Sequence, residues 1–339
     1  MAILRSDSRC YFNGKLITKA YLGRNQIIPS YEPIPEPVVT GIEWSVEPSP
    51  EQNEWQSIAT DDNGVWVAVA STGSGRAMRS ADNGLTWSAI SNVPSFGWYS
   101  IDNDSKGLWI SVCNSGINRI MRSEDDGESW NISYVPTWNG WMSIATDDNG
   151  VWIAVTSNGS FRIMRSTDNG LTWVTQNVYG NDSWFAVATD KKNVWVAVSH
   201  IGENRIIRSE DNGVSWTTQE APSLNALYNV KTNDNGVWIA VGAYEIIRST
   251  DNGLTWSTTL QTEDNVWMSI STNKKGVWVA LASSGTNRIA VSLDNGETWS
   301  LHSSIENNSW TSIKSNSDGL WIGVSSDGTN RILKGVEVY

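Results

Sequence analysis

The chain has 339 residues and a formal charge of −12, from 24 Lys and Arg against 36 Asp and Glu. That length allows one large core or two ordinary ones, and the acidic excess disfavours a nucleic-acid backbone or an anionic membrane surface as the main partner. No apolar stretch reaches the roughly 20 residues of a membrane span, the first residues lack the apolar core of a signal peptide, and Cys10 and Cys113 are too far apart in sequence to argue a disulfide framework or a metal cluster.

Residues 1–29 are basic, with Arg5, Arg9, Lys15, Lys19 and Arg24 against Asp7. Two short runs, Cys10-Tyr11-Phe12 and Lys15-Leu16-Ile17, flank Asn13-Gly14, a strong hairpin signal. So small a segment cannot bury a core alone, and it is expected to pair with a partner chain. Residues 30–39, with Pro33, Pro35 and Pro37, predict a stiff, extended spacer.

From residue 40 to 339 the chain is one repeat, and the repeat holds twenty of the 21 Trp residues. A first Trp series runs Trp55, Trp98, Trp141, Trp184, Trp267 and Trp310, with Leu227 in the missing place. These seven positions open units 1 to 7. A second series is Trp66, Trp109, Trp152, Trp195, Trp238, Trp278 and Trp321; a third is Trp87, Trp130, Trp173, Trp216, Trp256 and Trp299, spaced by 43 except for one step of 40 between Trp216 and Trp256. Each unit reads as four short strands, separated by turns such as Asp62-Asn63-Gly64 and Asp82-Asn83-Gly84. Four strands in about 40 to 45 residues is the signature of a propeller blade. The predicted fold is therefore all-β, a seven-bladed β-propeller of four-stranded blades. Unit 7 ends without a fourth strand, and Gly41-Ile42-Glu43-Trp44-Ser45 matches the missing piece, with Trp44 standing 43 residues before Trp87. That strand is expected to close the ring non-covalently and remove its exposed edges.

The run Ser166-Thr-Asp168-Asn-Gly170-Leu-Thr172-Trp173 and its five near-copies resemble the Asp-box, or BNR repeat, of sialidases and related propellers, over residues 40–339. The resemblance implies a hairpin between a blade's third and fourth strands, with a structural role for Asp82, Asp125, Asp168, Asp211, Asp251 and Asp294. It also raises an enzymatic reading. Sialidases need catalytic groups unique to single blades, whereas here Arg residues recur evenly, the family's Arg-Ile-Pro signature is missing, and His200 and His302 are isolated. No catalytic residue, cofactor or metal is expected. A calcium reading of Asp61-Asp62 and Asp147-Asp148 finds no twelve-residue ligand loop.

Box turns and Asp-Asn-Gly turns share one face of a propeller, which directs the search for binding to the other. That face is expected to carry the first Trp series and the loops ending in Asn-Arg. The candidate ligand-binding residues are Trp55 with Arg76, Trp98 with Asn118 and Arg119, Trp141 with Arg162, Trp184 with Asn204 and Arg205, Trp267 with Asn287 and Arg288, and Trp310 with Asn330 and Arg331. An aromatic plate beside a planar donor fork suits a sugar; the same pair also suits a structural Arg-on-Trp stack between blades. Unit 5 has Leu227 and Glu245 where the others have Trp and Arg, so the two residues act as a pair on either reading.

The runs Tyr11-Phe12-Asn13-Gly14-Lys15 and Lys19-Ala20-Tyr21-Leu22-Gly23 resemble leader segments of tailed-bacteriophage structural proteins. The resemblance implies a virion protein, a tail or head fibre present in multiple copies, anchored to other virion proteins by residues 1–29 and binding a host-surface glycan or receptor with its propeller. Weak sites repeated around a ring gain by multivalency. Two other readings stand beside it: a structural decoration or tail-assembly protein that docks another protein, and an assembly factor like the Asp-box propellers that help build photosystem II.

Overall fold

A computed structural model describes residues 38–115, 119–137, 139–176 and 182–339, with the backbone only of Arg119 and Tyr134, and three backbone strands near the N-terminus. The chain divides into two compact units, 1–40 with Tyr339, and 41–338. In the first, Leu4–Ser6, Arg9–Phe12 and Lys15–Ile17 form an antiparallel sheet, with Phe12 opposite Lys15 across the Asn-Gly pair. The proline spacer at 30–37 and the side chains of residues 1–37 lie outside the described residues.

The second unit is all-β, with no helix among the described residues. Its strands form six antiparallel sheets, five of four strands and one of six. The expected seven separate four-stranded blades are thus corrected to six sheets, and the reason lies in unit 5. Its loop between the second and third strands is three residues shorter than in its neighbours, so both strands run on as Trp238–Ser249. The next strand, Ser257–Thr272, pairs with it and then continues as the first strand of unit 6. Seven sequence units therefore occupy six hydrogen-bonded sheets.

Each unit's first strand packs beside the first strand of the next, and that of unit 7 packs beside that of unit 1. The seam is a strand pair: Gly41–Glu47 lies antiparallel to Ile332–Val338, with Gly41 opposite Val338 and Glu47 opposite Ile332. The N-terminal strand thus supplies the fourth strand that unit 7 lacks. That sheet thereby reaches four strands, with Gly41–Glu47 as its outer edge.

Hydrophobic layers fill the spaces between neighbouring units. Trp55, Trp66 and Met78 of unit 1 pack on Ile322, Val324 and Ile332 of unit 7, and Trp152 and Met164 of unit 3 pack on Ile110 and Val112 of unit 2. The β-branched and Trp residues of the second strands suit a pleated surface buried on both faces, and six such strands are buried at every core position from Trp to the fifth residue.

The box turns fasten this stack. Ser166 Oγ donates to Asp168 Oδ1 and accepts from Gly170 N, while Asp168 accepts from the amide and hydroxyl of Thr172. The same four contacts recur in the other five boxes, for instance around Asp82 and Asp251. Asn169 and Gly170 both have positive φ, and a Cβ on Gly170 would lie 2.2 Å from Ile110 Cδ1 of the preceding unit, so only glycine fits. Between units, Arg79, Arg122, Arg165, Arg208 and Arg248 each donate from Nε to the carbonyl of the turn residue in the next box, 2.7–3.1 Å away.

Candidate binding site in the axial channel

The first Trp series is placed where no ligand reaches it. Trp55, Trp98, Trp141, Trp184, Trp267 and Trp310 are all at most 1% exposed. They are core, and the expected sugar-stacking plates are corrected accordingly.

The paired arginines are likewise committed to the main chain. Arg162 donates to the carbonyls of Ser157 and Asp182, Arg205 to Gly202 and Leu224, Arg288 to Ser283, Gly285, Asn307 and Asn308, and Arg331 to Ser326, Gly328 and Asn53. Arg76 bonds within its own loop, to Ser71 and Gly73. These guanidinium groups hold a loop to the connection entering the next unit, so they tie units together through carbonyls rather than by stacking on Trp. Asn204 donates to Asp182 and Asn330 to Glu306, while Asn287 accepts from Ser303. Asn118 and the side chain of Arg119 lie outside the described residues, as do Trp138 and Tyr179 in the connecting loops. In unit 5 the buried Glu245 accepts from Ser223 Oγ instead.

The residue that does face open space is the next one along. In every unit the pairing of the first and second strands slips by one between the Trp position and the residue two further on: Trp141 stands opposite Thr156 but Ser143 opposite Val155, leaving Met142 as an extra residue. The same bulge recurs in the other six units. A bulge re-aims a side chain, and here it turns Gln56, Tyr99, Met142, Phe185, Tyr228, Met268 and Thr311 into one axial mouth lined by all seven, around a cavity of about 60 Å³. Phe185 makes edge contacts with Tyr99, Tyr228 and His200, at centroid distances of 6.1, 5.3 and 5.2 Å. These residues stand one position after the first Trp series, on the same strands.

Deeper on the axis the lining becomes polar. Ser57, Ser100, Ser143, Ser269 and Ser312 each accept, through Oγ, the main-chain N–H of a residue in the next unit, at 3.0–3.3 Å. They surround a chamber of about 50 Å³ that also holds Asp102, Lys231 and Lys314. In the repeat these last three positions correspond to Ala59, Ala145, Ala188 and Ser271 of the other units. Burial, then the Lys314 charge, pulls the Lys231 ammonium down to about 8, against the opposing pull of Asp102.

The far mouth, about 150 Å³, is ringed by Asp62, Ser105, Lys191, Asp234, Lys274 and Ser317. Most of its charge is internally compensated: Lys191 pairs with Asp148, Lys274 pairs with Asp234, and Asp62 accepts from Ser317 N. Burial pushes the Asp148 carboxyl above its ordinary range despite Lys191.

Among the described residues no group of three or more His, Cys, Asp or Glu could hold a metal ion. The Asp-rich turns use their carboxylates locally, Asp61 and Asp147 each accepting two main-chain N–H groups. No helix among the described residues is long and apolar enough to cross a membrane.

A closed ring of antiparallel sheets, five of them four-stranded, around a lined axis defines a β-propeller. No family model matches the chain, and no curated protein matches its sequence. Solved propellers do match its fold. The structure described as YCF48 bound to D1 peptide is 17% identical with a TM-score of 0.68, over 88% of this chain and 99% of that one. A streptogramin B lyase is 16% identical with a TM-score of 0.74, over 88% and 98%. The WD40 β-propeller domain of Doa1 is 15% identical with a TM-score of 0.69, over 87% and 97%.

Proposed function

We propose that this chain is a non-catalytic binding propeller that docks a segment of another protein at the axial mouth formed by the seven bulge residues. The observation that carries this is the composition of that mouth. At scaffold positions the units nearly repeat, whereas at the bulge they read Gln56, Tyr99, Met142, Phe185, Tyr228, Met268 and Thr311. Packing in a symmetric ring asks for no such variety. Tyr, Phe and Met are the residues enriched where proteins meet, and thioethers adapt to irregular partners.

A protein-docking propeller accords with this mouth better than a glycan-binding fibre, because the Trp plates a sugar would stack on are buried. The similar propeller described as bound to D1 peptide supports the same reading, which is also that of the photosystem II assembly factors. We also read the six-stranded sheet as two units joined edge to edge, so that the scaffold is a seven-unit propeller with Asp-box-like hairpins. Attachment through residues 1–29, to a virion or another assembly, is a separate proposal on which the docking reading does not depend.

Panning a random peptide library on the whole protein tests the reading. Selected peptides should lose binding at least about tenfold to Phe185→Ser and Tyr228→Ser, the loss of one aromatic anchor in an interface. Peptides indifferent to both substitutions, or a glycan-array signal that both abolish, would overturn it.

A further inference from the structure

We propose that the narrow chamber midway along the axis is a carboxylate-binding site, in which Lys231 and Lys314 hold the anion and the ring of serine hydroxyls around them donates to it. Three features of the chamber support this.

The first is charge. Seven charged residues line the axis, Asp62, Asp102 and Asp234 with Lys191, Lys231, Lys274 and Lys314. Lys191 and Lys274 are neutralised in ion pairs with Asp148 and Asp234, and Asp62 is used by the Ser317 amide. Among the described residues, Lys231 and Lys314 make no hydrogen bond or ion pair of that kind. They share the chamber with one carboxylate, that of Asp102, so the chamber carries one positive charge in excess. Both lysines are half-buried; a partly desolvated ammonium without an ion-pair partner is costly, and an entering anion would relieve that cost.

The second is the direction of the hydroxyls. Ser57, Ser100, Ser143, Ser269 and Ser312 spend a lone pair each on a main-chain N–H of the neighbouring unit. A hydroxyl has one proton and two lone pairs. With the acceptor side engaged in the wall, the O–H is left to donate, and the chamber presents donors to its occupant. Charge-assisted bonds to an oxyanion are the strong ones.

The third is access. The chamber shares Ser57, Ser100, Ser143, Asn229 and Ser312 with the aromatic mouth, and about 50 Å³ holds a carboxylate group but not a bulky head. The matching ligand has an apolar or aromatic body in the mouth and a carboxylate below it. That the carboxylate belongs to a docked protein segment rests on the function proposed above; the anion site itself does not.

Titration calorimetry of the full chain with sodium acetate, against sodium chloride at equal ionic strength, tests the site. Saturable acetate binding is expected, weakened about tenfold or more by Lys231→Met and by Lys314→Met, and unchanged in Phe185→Ser. Lys231→Met removes a half-buried charge that has no ion-pair partner among the described residues and should melt no lower than the parent, so lost binding would not reflect lost folding. Absence of saturable binding, or binding indifferent to both lysine substitutions, would overturn the site. Peptides from the library panning, made with a free or an amidated C-terminus, show whether a terminal or a side-chain carboxylate enters. Acetate binding with no peptide binding would retain the site and refute the docking reading.

Discussion

Arg331 donates from Nη1 to the main-chain carbonyl of Asn53 at 2.6 Å, linking two residues 278 positions apart. Asn53 is buried, at 2% exposure, in the connection that enters unit 1. This bond therefore locks the same seam that the Gly41–Glu47 strand closes. Removing a charged donor from a buried carbonyl costs about 1.5–3 kcal/mol, so Arg331→Met should lower the urea unfolding free energy by roughly 2 kcal/mol. Arg76→Met, whose guanidinium bonds only within its own loop, should cost clearly less in the same measurement.

The six box aspartates define an acid limit. Hydrogen bonds from the hydroxyl and amide of Thr86 hold Asp82 at about 2, and those from Thr255 and Ser249 overcome partial burial to hold Asp251 at about 2. Asp125, Asp168, Asp211 and Asp294 are lowered by the same contacts. Each folded value lies below the unfolded one, so each contribution is complete above about pH 4 and is lost as pH falls toward 2. Stability measured by denaturant titration should be level near neutrality and fall steeply between those values, with Asp168→Asn flattening the slope.

Adjacent residues in a first strand should differ sharply in their tolerance. Trp141 is fully buried and its indole N–H finds no partner among the described residues, so Trp141→Ala should lose about 3–5 kcal/mol through lost packing and a cavity. Met142, turned by the bulge into the mouth, should accept Ser at a cost of under about 1 kcal/mol. Urea curves of the two variants side by side provide the check.

At the far mouth, Lys191→Met would leave Asp148 partly buried with Asp102 and without its cation. Its carboxyl is already held above the ordinary range by burial and would rise further. A raised folded value means stability present at acid pH and lost as pH climbs through that value. The variant should therefore melt closest to the parent near pH 4 and fall behind it by pH 7, as followed by calorimetry.

Most of the scaffold was legible in the sequence because it is written several times over. The Trp spacing gave the units, the Asp-Asn-Gly turns gave the strand boundaries, and Trp44 pointed to the strand that pairs with Ile332–Val338. The sheet count was harder to read, since it depends on whether a shortened loop still breaks a strand, and in Trp238–Ser249 it does not. The site was hidden by a different cause. Strict alternation along a strand assigns Trp141 and Met142 to opposite faces without saying which is outward, and the slip in pairing with Thr156 and Val155 settles it. A Trp ring suits a ligand plate, but its size makes it the better filler between units. Asp102, Lys231 and Lys314 do stand out in the sequence, as the charged residues at a position that is Ala or Ser in the other units.

The bulge at the start of each first strand has a consequence for how this ring could acquire new partners. Because the extra residue is exempt from both the ladder and the core, seven side chains at one mouth can be exchanged without renegotiating the packing beneath them. On the docking proposal, recognition is a short, editable alphabet set into a scaffold that does not have to be rewritten with it.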